Sequence, residues 1–339
     1  MLRLHALKLV PIFITFTAVL AYHEDHDKKR SQGPRDNVFW VDPGDPSKFD
    51  FQYGIGGPER QPTPPFHFVS EDLSRTSPKA NVTDERGVAW NIKWGVEARP
   101  SAFCTRLAGA CGYLVEPEYF VASGRIEGVT HLQRVGKYIS DDGQFAGGRF
   151  QLRTDLPKYL KGEYWPLKKN PFEGTPAFQG MRILMLLLSN WDHRDSNFGI
   201  FEDSSGDKPR YLYVQTDWGA SLGKWGNPLT RSKWNCKDFA GQTREFIKGV
   251  EEDRIKWGFG DWDDIRVSDV QWLLQYLGKI TDAQLREGMA AVGATPRETD
   301  CYTQSLRDRI EQLQQAASAT TAAAAPKRVS SRSASRYDR

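Results

Sequence analysis

At 339 residues and 39% apolar content, the chain is long enough to bury one large core or two modest ones, which excludes a coil too polar to fold. Its formal net charge is +3, and Lys327, Arg328, Arg332, Arg336 and Arg339 against Asp338 put about +4 in the final stretch, so the remainder is close to neutral. No nucleic-acid partner is expected, because phosphate neutralisation asks for a basic face on the folded part and not only on a tail.

In chain order, residues 1–21 carry Arg3 and Lys8 ahead of an apolar run from Leu9 to Tyr22, broken only by Pro11, Thr15 and Thr17. Val19 and Ala21 satisfy the small-residue rule before a cleavage point, and the run is short for a bilayer, which needs about 20 residues. A signal peptide over 1–21 and an exported protein are expected, with no stable membrane span. The polar run His23-Glu-Asp-His-Asp-Lys-Lys-Arg30 argues against the alternative of a buried N-terminal helix. Residues 22–65, rich in Pro, Gly, Asp and Gln, read as an extended or partly disordered arm, either laid over a domain or mobile.

From Phe66 the pattern changes to short strands, at Phe66 to Val69, Lys79 to Thr83 and Val88 to Trp94, with turn signals between them. Pro100 opens a helix on which Phe103, Leu107 and Ala110 or Cys111 recur at helical spacing, and Gly112 ends it. Further strands are expected at Glu118 to Ala122 and Gly148 to Leu152. Beyond about Leu160 the chain reads as mostly helical. Thr175 caps an apolar helix running through Gly180 to Leu188, a short hairpin pairs Phe198 to Phe201 with Tyr211 to Gln215, and amphipathic helices follow at Ser268 to Leu277, Asp282 to Val292 and Glu298 to Gln314. The Ala/Ser/Thr/Arg composition from about Ala316 predicts a disordered tail. Four cysteines, Cys104, Cys111, Cys236 and Cys301, allow one or two disulfides in an exported chain, but Cys104 and Cys111 stand two helical turns apart and cannot bridge to each other.

The chemistry concentrates between Asn190 and Gly219. Phosphoryl transfer needs cations at the transferring phosphate and a carboxylate near the attacking hydroxyl. The segment Asn190-Trp-Asp-His-Arg-Asp-Ser-Asn197 lies between a buried helix and a strand, and Asp217-Trp-Gly219 closes the next strand, so a hairpin would return Asp217 beside Asn197 as a second hard-oxygen ligand. The triplet His193-Arg194-Asp195 mimics a kinase catalytic loop, yet Asp195 precedes Asn197 by only two residues, whereas Asp192 precedes it by the required five. Asp192 is therefore the expected catalytic base. His193, Arg194 and Asp195 take supporting roles, orienting the loop or steadying phosphate charge, and Glu97 is a further candidate for support. Lys93, in the third strand and just ahead of the Pro100 helix, is the expected phosphate-binding cation, against the plain alternative of an exposed strand lysine.

This order of strands, Lys93, helix, sheet, buried helix, Asp-x4-Asn loop and Asp-Trp-Gly resembles the protein-kinase-like superfamily. The likeness is to its atypical branch, which includes HipA-like kinases, phosphatidylinositol kinases and secreted casein-kinase-like enzymes. The segment Phe103-Cys-Thr-Arg-Leu-Ala-Gly-Ala-Cys-Gly-Tyr113 is similar to the first helix of HipA-like proteins, and a group of bacterial proteins shares the Asn-Trp-Asp loop. The resemblance implies an α+β, two-lobed fold: a small antiparallel-sheet N-lobe with one helix over 66–153, a mainly helical C-lobe over 154–315, and the tail over 316–339. It also implies ATP as the bound nucleotide and substrate, Mg2+ or Mn2+ as cofactor at Asn197 and Asp217, and an acceptor that no motif identifies. Three features depart from the pattern. The turn Ser74-Arg-Thr-Ser-Pro78 lacks glycine; no mid-helix glutamate faces Lys93, since Glu97 is near but too early in sequence for the usual pairing and Glu116 or Glu118 would have to reach in from elsewhere; and the gap from Asn197 to Asp217 is long, which a longer hairpin tip would absorb. Two other classes stay open: a pseudokinase scaffold that no longer transfers phosphate, and an exported carbohydrate hydrolase using aromatic platforms from the 11 tryptophans.

Overall fold

The computed structural model describes residues 36–323, positions 75 and 155 excepted. The signal-peptide segment 1–21, the first part of the arm and the basic end of the tail lie outside the described residues.

The arm is packed down. After strand β1 (Asp36–Val38), three short 3-10 turns at Pro46–Lys48, Gly54–Gly56 and Pro58–Arg60 carry the chain forward, and Phe39 and Phe51 are buried in the main core. Trp40 donates its indole N–H to the Cys111 carbonyl at 2.8 Å. Of the two readings of residues 22–65, the described part takes the first.

Strands β2 (Phe66–Glu71), β3 (Lys79–Thr83) and β4 (Ala89–Lys93) form the expected meander, with β3 and β4 in register from Lys79 opposite Lys93 to Thr83 opposite Ala89. Helix α1 (Ala98–Ala110) starts two residues before Pro100, which sits in the first turn where a missing N–H costs nothing. Strands β5 (Glu118–Glu127) and β6 (Gln144–Leu152) run longer than expected and close the sheet into a five-stranded barrel in the order β2-β3-β4-β6-β5, sealed by a parallel contact of Phe66 and His67 with Ile126 and Glu127. Alternation puts Ala80 and Val82 inside it with Trp90, Ile92, Tyr119 and Phe150. Each large apolar side chain so buried stabilises the barrel by about 1.5–3 kcal/mol.

The second half contains more strand than its sequence suggests. β7 (Lys158–Tyr164) joins β8 (Phe198–Asp203) and β9 (Arg210–Gln215) in a sheet of order β1-β9-β8-β7. The sequence missed β7 because nearly all its side chains face solvent and leave no alternation to read. Helix α2 (Pro176–Leu187) is capped by Thr175, whose hydroxyl accepts from the Phe178 N–H at 3.2 Å, and it is buried from Phe178 through Leu187 as its all-round apolar face requires. Helix α3 (Cys236–Thr243) and the hairpin β10 (Ile247–Glu251) with β11 (Arg254–Trp257) precede α4 (Val267–Leu277), α5 (Asp282–Ala291) and α6 (Pro296–Ala323). The tail expectation is corrected over 316–323. Helix α6 continues to Ala323, Ala316 and Ala317 are buried, and Gln271 donates to the Ala317 carbonyl at 3.0 Å, because alanine is small enough to pack closely where larger residues would not.

Arg309 of α6 is fully buried and donates to the Leu187 carbonyl (2.8 Å), the Ser189 hydroxyl (2.9 Å) and the Phe239 carbonyl (3.0 Å). It thereby ties the C-terminal end of α2, where free carbonyls attract a cation, to α3 just before the loop that carries Asp192. Cys236 and Cys301 form a disulfide between α3 and α6 with Cα atoms 6.2 Å apart, while Cys104 and Cys111 are buried free thiols. Among the described residues no helix is long and apolar enough to cross a membrane.

Candidate active site

Lys93 is the last residue of β4 and is almost fully buried, so the reading of it as an exposed strand lysine is set aside. A buried ammonium needs carboxylate partners. Its Nζ lies 2.5 Å from Glu97 Oε2 and 3.4 Å from Asp217 Oδ2. The expectation that Glu97 comes too early in the chain to pair with Lys93 is therefore overturned. Gly95, at φ +92°, turns the backbone just after the strand, so Glu97, at the N-cap position of α1 and making no capping bond there, turns its side chain back toward Lys93. Two more groups hold the same carboxylate: Ser77 of the β2–β3 turn donates its hydroxyl to Oε2 at 3.0 Å, and Lys233 pairs with Oε1. Burial opposes ionisation of Glu97, but Lys93 and Lys233 outweigh it and hold its carboxyl far below the usual carboxylate range.

The loop after α2 is fixed through its backbone. Asn197 is buried, its Nδ2 donates to the Asp192 carbonyl at 3.1 Å, and its own carbonyl accepts from the Thr216 N–H at 2.8 Å, so the residue before Asp217 is tied to Asn197. The hairpin β8–β9 keeps unbroken register from Phe198 opposite Gln215 to Asp203 opposite Arg210, and the long insertion is absorbed at its tip. Asp217 then accepts from the Gly219 N–H at 2.9 Å. A β-carbon at Gly219 would stand 2.8 Å from Glu97 Cβ, so this glycine lets the start of α1 approach the Asp-Trp-Gly turn.

Asp192 is half-buried, and Arg194 forks onto it with Nε to Oδ1 at 2.7 Å and Nη2 to Oδ2 at 2.6 Å. Burial raises the Asp192 pKa, but the hydrogen bonds and charge of Arg194, with Asn197 and Lys233, lower it overall, so the group is ionised at neutral pH. Asp195 is exposed and begins a 3-10 turn through Asn197. His193 turns away from phosphate chemistry: its Nε2 meets the Asn190 carbonyl at 3.1 Å, its ring packs on Trp225 and Trp262, and burial lowers its pKa. These contacts tie His193 to the loop backbone and to its aromatic neighbours.

A metal ion can be tested against these side chains directly. Asn197 Oδ1 is buried with no hydrogen-bond partner, a desolvated oxygen lacking compensation, and Asp217 supplies a partly exposed carboxylate next to it in the fold. Among the described residues no three His, Cys, Asp or Glu side chains cluster to hold an ion unaided. That donor set fits magnesium, which takes one or two protein ligands and completes its shell with phosphate oxygens and water. A cavity of about 290 Å³ opens from Lys93 and Asp217 between the barrel and the β7–β8–β9 sheet.

A lysine on the third barrel strand paired with an acid at the following helix, an asparagine ahead of a hairpin and an aspartate behind it are thus brought to one region of the fold. The fold is α+β: a five-stranded barrel with helix α1, then a four-stranded sheet and a mainly helical remainder. No protein-family model matches the chain, and no curated protein matches its sequence. Among solved structures it is similar to a proinflammatory kinase of Helicobacter pylori, CtkA, at 10% identity over 78% of this chain and 100% of that one, with a TM-score of 0.49. It is also similar to the Golgi casein kinase with Mn and ADP bound (11% identity, 78% and 75% of the two chains, TM-score 0.34) and to the Rio2 kinase of Chaetomium thermophilum (13%, 72% and 72%, TM-score 0.28).

Sequence reasoning did not find Lys233. It stands in an irregular loop between Gly223 and Asn235, where no periodicity or motif marks it, and only the folded path brings it to Glu97. Nor did it find Gln151 and Arg153, which line the far end of the cavity. Of the tryptophans beside the site, Trp90, Trp94 and Trp218 are buried in the cores and offer no aromatic platform, while Trp191 is half-buried.

Proposed function

We propose that this protein is a metal-dependent phosphotransferase that moves the terminal phosphoryl group of a purine nucleoside triphosphate to a hydroxyl acceptor. The observation that carries the reading is the unpartnered Asn197 Oδ1 in a corner that also holds the Lys93, Glu97 and Asp217 triad. Mg2+ or Mn2+ bound by Asn197 and Asp217 would supply positive charge to the terminal phosphates. Lys93, kept charged and fixed by Glu97, neutralises phosphate oxygens. Asp192 orients the acceptor hydroxyl. As the acceptor oxygen bonds to the γ-phosphorus, the bond to the β,γ-bridging oxygen breaks, the nucleoside diphosphate leaves with that electron pair, and the hydroxyl proton passes to Asp192.

Arg194 occupies both oxygens of Asp192, which favours a second reading in which the domain binds nucleotide and serves as a scaffold. The side chain of Arg194 is 72% exposed, so it can leave Asp192 without opening the core and turn toward phosphate. The two readings separate on incubation of purified protein with γ-labelled ATP or GTP and each divalent cation. Label transferred to an added or internal hydroxyl supports the enzyme. Nucleotide binding with no transfer supports the scaffold, and no nucleotide-dependent thermal shift with any cation overturns both.

The disulfide between Cys236 and Cys301 is compatible with an oxidising, exported compartment, which agrees with the apolar N-terminal run. Such a location requires nucleotide to be present there.

A further inference from the structure

The cavity that opens from Lys93 and Asp217 has an unusual far wall. Small-molecule pockets are lined predominantly by apolar groups with a few polar ones. Here the wall is built from Arg149, Gln151 and Arg153 at the end of β6, with Glu116 beside them, and the large rings facing the space are those of Tyr159 and Phe201.

The hydrogen bonds on this wall are unevenly spent. Gln151 Oε1 accepts from Arg153 Nη2 at 2.7 Å and from Arg149 Nη2 at 3.3 Å, which uses both its lone pairs. Arg153 Nη1 donates to Glu116 Oε1 at 3.0 Å, so its guanidinium is held in place by two acceptors while its outer N–H groups stay available, the side chain being 43% exposed. Gln151 is almost fully buried and its amide nitrogen has no hydrogen-bond partner among the described residues. The backbone is consumed as well: the Leu152 N–H goes to the Pro117 carbonyl and the Arg153 N–H to the Ala89 carbonyl. The wall therefore offers the side-chain donors of Gln151 and Arg153, with the Gln151 acceptor already occupied and the second oxygen of Glu116 as the acceptor beside them.

A base placed with its phosphates toward Lys93 would lie against the Tyr159 and Phe201 rings and turn an edge toward Gln151 and Arg153. Adenine presents an amino group beside N7 and would set donor against donor. Guanine presents two acceptors, O6 and N7, and a fixed arginine is the usual partner of that pair. We propose that this cavity binds a 6-oxopurine nucleotide in preference to an adenine nucleotide, with Arg153 and Gln151 reading O6 and N7. The proposal rests on the phosphotransfer reading of Lys93, Asn197 and Asp217 and names the base that accompanies those phosphates.

Titration calorimetry of the intact protein with the Mg2+ complexes of GDP, IDP and ADP tests it. GDP is expected to bind about tenfold tighter than ADP, the discrimination typical of one bidentate base contact. IDP, which keeps O6 and N7 but lacks the 2-amino group, should bind like GDP. Gln151→Glu replaces the free donor with an acceptor at unchanged size between two arginines, and should shift preference toward ADP; Arg153→Met should bring the two purines to near parity. ADP binding as tightly as GDP in the wild type overturns the base assignment and leaves the phosphotransferase intact. GDP binding with IDP as weak as ADP overturns the O6 and N7 reading. Failure of all three to bind overturns both proposals.

Discussion

Glu97 is held by two lysines and a serine, and its replacement by glutamine probes the corner most directly. Glutamine keeps the size and the hydrogen-bonding ends but removes the charge, leaving the buried Lys93 with Asp217 alone at 3.4 Å and Lys233 without its carboxylate. Removing one member of a buried ion pair costs about 3–5 kcal/mol. Since Glu97 keeps a fifth of its side-chain surface in contact with solvent, the lower end, about 3 kcal/mol, is expected here. The pH dependence carries a sign that can be checked. The folded carboxyl titrates below the ordinary glutamate value of 4.5, so its contribution is fully present above that value and drains as pH falls through the region beneath it. Urea unfolding of wild type and Glu97→Gln should therefore differ by about 3 kcal/mol at pH 7, and the gap should close progressively as the pH is lowered past 4.5. Nucleotide binding at pH 7 should weaken with it, because Lys93 loses the partner that fixes it. A gap below about 0.5 kcal/mol, the level of an ordinary surface change, or a gap that stays constant on acidification, would refute the argument that the two lysines drive Glu97 ionisation.

Three further outcomes are expected. Asp217→Ala should abolish metal-dependent nucleotide binding by thermal shift, whereas Asp195→Ala should leave it largely intact, since Asp195 is exposed; equal losses would mean that the wrong carboxylates carry the ion. Arg194→Ala removes the strongest group lowering the Asp192 pKa, so the acid limb of a rate-versus-pH profile should move to higher pH, and an unmoved limb would separate Asp192 from the rate. Cys236→Ser with Cys301→Ser opens a link spanning 65 residues. Loop-closure entropy sets that loss at about 4 kcal/mol, or roughly 10 °C in melting midpoint, and a midpoint unchanged by reduction would show that the α3–α6 packing suffices.

Much of the local structure was legible because its causes are local. Thr175 ahead of an apolar run, the alternation of β3 and the Phe103, Leu107 spacing each fix an element from neighbours in the chain, and the two strands of the hairpin between Asn197 and Asp217 stand out as short apolar runs around a polar turn. Solvent-facing β7 and the alanine-rich end of α6 were not legible, because hydrophobic pattern reports burial, and the first has little while the second buries side chains too small to register.

The sequence by itself nominated the residues proposed for the chemistry: the five-residue spacing singled out Asp192 over Asp195, and strand order placed Lys93 ahead of a helix. Only the tertiary structure decided who stands beside whom. The turn at Gly95 brings Glu97 to Lys93, an irregular loop delivers Lys233 from far along the chain, and barrel closure gathers Gln151, Arg153 and Glu116 at one wall. Charge pairing and cavity lining depend on distances through space, and a chain pattern encodes those only where the partners lie within a turn or a hairpin of each other.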